Sequence, residues 1–163
     1  MESNTEKVQR YLQDLHAAEC GTEQLVLMHA TNQRVPESVR EASSTFVNES
    51  RIRQQLIEER LRQLGSANSV PKDWMDSVAS QLTTLWNAGH DSVERLTMDL
   101  VKIHASGHLL HGSYCALTGF SDSIGDIETK NLAEKGMRES VKMSESMIPL
   151  IDRIARYAPV PVS

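Results

Sequence analysis

The chain has 163 residues, of which 39% are apolar and 4% aromatic, and it carries a formal charge of −5. That length covers one core well and is short for two, so a single domain over residues 1–163 is expected. A negative balance without any dense Lys/Arg run excludes nucleic acid as the main partner, because neutralising phosphates needs a concentrated basic surface.

From Met1 to Leu15 the sequence is polar and charged every few residues, with no basic-then-apolar leader, and a cytoplasmic location is expected. Asn4 or Thr5 caps a first helix that runs to about Thr31, with Val8, Leu12, Leu15, Glu19, Thr22 and Val26 on one face. A break at Asn32 to Pro36 leads into a second helix, Pro36 to Leu64, stopped by Gly65. Its inward stripe reads Val39, Ala42, Phe46, Glu49, Arg53, Ile57 and Leu64, with Arg60 or Leu61 near the end. Pro71 opens a shorter helix bearing Trp74, Met75, Val78, Leu82 and Leu85 or Trp86. Apolar surface on so short an element is not fully covered by one bundle, so a homodimer or larger homo-oligomer is expected.

After a break at Asn87 to His90, a long helix from Asp91 to Gly119 follows, and residues 118–125 lead out of it. Its stripe reads Val93, Leu96, Leu100, His104, His108, His111 and Cys115, which puts three histidines where leucines stood a turn earlier. No charged residue lies between Lys102 and Asp122, yet the run holds three His, three Gly and three Ser, so a membrane span is rejected. Asp126 caps the last helix, whose inward residues are Leu132, Gly136, Glu139 or Ser140, Met143, Met147, Leu150 and Ile154. Pro149 is expected to kink it near Glu145, and the tail 158–163 to be extended. Cys20 and Cys115 read as two reduced thiols, and the methionines as core filling.

Four long helices of about 27 to 32 residues would each span roughly 40 to 48 Å. Short links join the first two and the last two, whereas about 25 residues separate the second from the third. The fold is therefore expected to be all-α: a ferritin-like four-helix bundle with one crossover and a short extra helix within it.

Near the helix midpoints stand Glu19, Glu49, His104, His108 and Glu139. Carboxylates and imidazoles at one level are what di-iron bundles use: a Glu from each of two helices and Glu-x-x-His from the other two. Three segments, Tyr11 to Glu19 (YLQDLHAAE), Glu49 to Gly65 (ESRIRQQLIEERLRQLG) and Gly107 to Tyr114 (GHLLHGSY), resemble the YciE/YciF-type ferritin-like proteins associated with bacterial stress responses. The resemblance implies that Glu19, Glu49 and Glu139 match metal-binding carboxylates and that His108 matches a histidine of the third helix. The chain departs from that pattern at Gly107, where the family has a Glu before the histidine. It departs again at Ile52 and Lys142, where histidine partners of Glu49 and Glu139 would fall.

Two readings follow for the polar residues. His104, His108 and His111 could bind iron, zinc or manganese together with Glu19, Glu49 or Glu139, with Cys115 as a further thiolate ligand. Alternatively they form a polar layer that fixes helix register, with Arg53 neutralising Glu49 at i, i+4 and Lys142 doing so for Glu139. The second is preferred, and no cofactor is expected. The functional expectation is a stress-associated bundle with a lost or rebuilt metal centre and a non-catalytic structural or interaction role. The alternatives are a metal-dependent oxidoreductase using the His-rich site, and a small-molecule binder using space at Gly107 and Gly112.

Overall fold

A computed structural model of the chain describes residues 2–66 and 92–157. Four helices account for nearly all of them: α1 (Asn4–Thr31), α2 (Glu37–Gln63), α3 (Ser92–Ile124) and α4 (Ile127–Ala155). Among the described residues there is no strand, and no helix is long and apolar enough to cross a membrane. The short helix expected after Pro71, the break at Asn87 to His90 and the tail 158–163 lie outside the described residues.

Local chemistry sets the helix ends. Ser3, one residue ahead of the expected cap, accepts from the Glu6 N–H at 3.2 Å while the Glu6 carboxylate accepts from the Ser3 N–H at 2.6 Å, a capping box. Gly65 and Gly125 adopt φ of 78° and 74°, the left-handed turn that lets Ser66 N–H reach Leu61 O and Asp126 N–H reach Ser121 O. Asp126 then caps α4, accepting from the Thr129 N–H at 3.0 Å. Helix α3 runs on to Ile124 rather than ending near Gly119, because nothing in residues 118–124 breaks it before Gly125. Helix α4 continues past Pro149 to Ala155.

Cross-helix contacts fix the directions. Gln9 meets Leu64 and Glu23 meets Arg51, so α1 and α2 are antiparallel. Glu19 meets Tyr114 and His29 meets Asp99, which makes α3 antiparallel to α1. His104 meets Ser144 and His111 meets Met137, so α4 opposes α3, and Arg60 on Asp126 with Arg53 near Glu139 makes it oppose α2 as well. Helices α2 and α3 are therefore parallel, and the end of α2 and the start of α3 lie at opposite ends of the bundle. This is the one-crossover connectivity of ferritin-like folds.

The core has two apolar parts. One gathers Val8, Leu12, Ile57, Leu110 and Leu117 at the end where α1 starts. The other gathers Val26, Phe46, Leu100, Ile103 and Met147 at the opposite end. A polar layer holding Glu19, Ser50, Arg53 and Ser140 sits between them. The expected α1 stripe is buried throughout. On α3 the buried stripe is Leu100, Ile103, Gly107, Leu110, Tyr114, Leu117 and Ser121, one residue away from the expected one. Instead of facing the core, His104 and His111 are half-buried and His108 and Cys115 are exposed. With no charge between Lys102 and Asp122, α3 has no polar face to fix its rotation. The close approach of α4 chooses it: a Cβ at Gly107 would lie 2.8 Å from Met143 Cε and from Ser144 Cβ. That contact also fills the gap expected at Gly107.

Candidate functional site

The middle of the bundle is organised by Glu19, which is fully buried. Its position on α1 puts it level with Ser50 and Arg53 of α2 and Tyr114 of α3. Arg53 Nε donates to Glu19 Oε1 at 2.6 Å and Nη2 donates to Oε2 at 3.1 Å, a bidentate fork. Ser50 Oγ donates to Oε2 at 2.7 Å and Tyr114 Oη to Oε1 at 2.7 Å. These four hydrogen bonds occupy the roughly four acceptor sites a carboxylate offers. Tyr114 reaches in because α4 carries Gly136 opposite it, where a Cβ would stand 2.2 Å from the ring.

The remaining Arg53 nitrogen, Nη1, has no hydrogen-bond partner and lies 3.6 Å from Glu139 Oε2. Glu139 is also 3.9 Å from Lys135. Burial disfavours the Arg53 cation, but the hydrogen bonds and charge of Glu19, joined by Tyr114 and Glu139, outweigh it and hold the guanidinium charged. Burial first, and then the Glu19 carboxylate, push the Tyr114 phenol well above its ordinary range, so it stays a donor.

The expected ligand set divides accordingly. Glu19, Arg53 and Glu139 are brought together. Glu49 is half-buried, and among the described residues no ion pair joins it, because Arg53 turns to Glu19 instead. Lys142 is exposed, and Arg53 and Lys135 take the place expected for it beside Glu139. His104 and His111 lie against backbone carbonyls of α4, and His108 is exposed where α3 faces α1. Among the described residues no group of three or more His, Cys, Asp or Glu is disposed to hold a metal ion. A di-iron centre does not fit this layer: Glu19 has no lone pair left to give, and a guanidinium already meets its charge. Sequence reasoning placed Glu19 and Arg53 inward but missed Ser50 and Tyr114. The small Gly136, level with Tyr114 in an antiparallel pair, was the available signal for the latter.

Two further clusters flank this layer. On α1 and α2, His16 Nε2 lies 2.9 Å from Glu58 and His16 Nδ1 lies 3.6 Å from Cys20 Sγ, which also donates to Gln54 Oε1 at 3.3 Å. Burial, and then Glu23, Glu58 and Glu19, push the Cys20 thiol up to about 11, so it is an unreactive thiol. Both cysteines are free. Between α1 and α3, a groove of about 450 Å³ is lined by residues including Tyr11, Asp14, His108, Leu109 and Gly112.

The sequence signature of the family described as "Domain of unknown function (DUF892)" matches residues 5–158. The chain belongs to this family. It is a family of the ferritin-like superfamily, in keeping with the connectivity above. Among solved structures, the chain is similar to the crystal structure of a protein from Xanthomonas campestris pv. campestris. The two share 20% identity over 95% of this chain and 94% of that one, with a TM-score of 0.75, which supports the shared fold alone. No curated protein matches the sequence.

Proposed function

We propose that this chain is a cytoplasmic, stress-associated ferritin-like protein with a structural or interaction role, in which the guanidinium of Arg53 takes the place of a resident metal pair. The observation that carries this reading is the saturation of Glu19 by Arg53, Ser50 and Tyr114. The resemblance to YciE/YciF-type proteins motivates the stress-associated part, and the family membership supports the bundle fold. In place of catalysis the polar layer supplies register: a buried ion pair shared by α1 and α2, capped by a phenol from α3, is satisfied in one alignment of three helices.

Self-association belongs to the same reading. Ile52, Leu56 and Leu109 are apolar and exposed on the helices, and Trp74, Leu82, Leu85 and Trp86 add apolar residues to the crossover sequence. A dimer or larger is expected by light scattering, and a mass near 18.2 kDa would contradict it.

The reading is tested by iron analysis of protein made in iron-rich medium, with melting before and after chelation. The expected result is iron far below one per chain and an unchanged melting temperature. About two irons per chain, or a sharp fall in melting temperature on chelation, would promote the metal-dependent oxidoreductase instead.

A further inference from the structure

The histidines of α3 do not belong to the mid-bundle layer, and their hydrogen bonds say what they are prepared for. His104 Nδ1 lies 2.9 Å from Ser144 O, and a carbonyl only accepts, so Nδ1 carries the ring proton. Ser144 Oγ, also 2.9 Å from Nδ1, spends its own proton on His104 O at 2.9 Å, which leaves it too as an acceptor toward the ring. Two acceptors on α4 therefore hold His104 in the tautomer whose Nε2 has a free lone pair. The same holds one side along: His111 Nδ1 faces Met137 O at 3.2 Å. An imidazole that donates Nδ1–H to a backbone carbonyl and leaves Nε2 open is the usual state of a metal-binding histidine, its orientation and tautomer fixed in advance.

His108 supplies the second ligand. It sits one turn beyond His104 and is exposed; the ring centroids are 4.7 Å apart with the rings edge to face at 85°, so His108 turns about its side-chain bonds to bring a nitrogen beside His104 Nε2. Two imidazoles at i and i+4 on a helix are spaced to hold one cation between them. The neighbouring surface offers no competing charge from α3 itself, since residues 103–121 carry none. We infer that His104 and His108 form a surface site for one borderline divalent transition cation, Zn(II), Ni(II) or Cu(II), with Ser144 as the positioning residue and solvent completing the coordination. Imidazole nitrogen suits these ions. The site is separate from the Arg53 layer, so it stands whether or not that layer binds iron.

The test is calorimetric titration of the untagged full chain with Ni(II) and with Zn(II). Wild type is expected to bind one ion, and His108→Ala, at an exposed position that leaves the fold intact, to weaken binding by tenfold or more, roughly the scale of losing one of two ligands. Ser144→Ala removes one acceptor from His104 Nδ1 and is expected to weaken binding about tenfold. Cys115→Ser is expected to bind as wild type does. Absence of binding in wild type, undiminished binding in His108→Ala, or loss of binding in Cys115→Ser would each overturn the assignment, the last by moving the site one turn along α3 to His111 and Cys115.

Discussion

The two helical hairpins are joined by opposite means. Helices α1 and α2 meet through charged and polar side chains: Glu19 with Arg53, Glu23 with Arg51 and His16 with Glu58. Helices α3 and α4 meet through smallness, with Gly107 against Met143 and Ser144, Gly136 against Tyr114, and histidines bonding to backbone carbonyls. In the first hairpin the side chains decide who faces whom. In the second the backbone comes close enough that the missing side chains decide. Tyr114 links the two, because it fills the space Gly136 leaves and ends on Glu19.

The comparison is broken most severely at Arg53. Arg53→Ala leaves a fully buried carboxylate without its cation and should cost about 3–5 kcal/mol, read from urea unfolding. Tyr114→Phe removes one donor from that charged acceptor and should cost about 1.5–3 kcal/mol. If it costs nothing, the link between the hairpins is packing alone. Gly136→Ala forces a Cβ into the Tyr114 ring and should cost about 1–3 kcal/mol by overpacking. Pairing it with Tyr114→Leu should recover part of that loss, since the clash is with the ring.

These sites also show what the sequence disclosed. The α1 stripe was legible residue by residue because charged and polar residues such as Glu6, Lys7, Arg10, Gln13 and Asp14 flank it along its first half. The crossover was legible from the spacing between Gly65 and the histidine helix. On α3 the uncharged run erased the contrast that periodicity needs, and the face was assigned one residue off. Glu19 and Arg53 were recognisable as inward. Their pairing was not, because Glu49 offered Arg53 an equally good partner along its own helix. Cross-helix distance, not spacing in the chain, decides between them.

Smaller effects sharpen the contrast. Burial, opposed by Asp99 and assisted by Lys102, holds His29 below its ordinary value of 6.5, so the unfolded chain takes up this proton more readily than the folded one. Stability should therefore fall as pH drops below about 6.5, and His29→Leu should flatten that part of the denaturation profile. An unaltered profile in the variant would assign the acid sensitivity elsewhere. On the outer side of the charged hairpin, Arg51→Ala breaks a 2.7 Å pair to Glu23 but should cost only about 0.2–1 kcal/mol, because water screens the exposed guanidinium.

The central claim, that Arg53 serves as the built-in cation for Glu19, is tested most directly by a double-mutant cycle with Glu19→Gln, Arg53→Met and the pair together, measured without added metal. Each single change is expected to cost about 3–5 kcal/mol by stranding its partner, and the double variant much less than their sum. Additive losses would contradict the account, since they would mean that the buried carboxylate and guanidinium do not depend on each other.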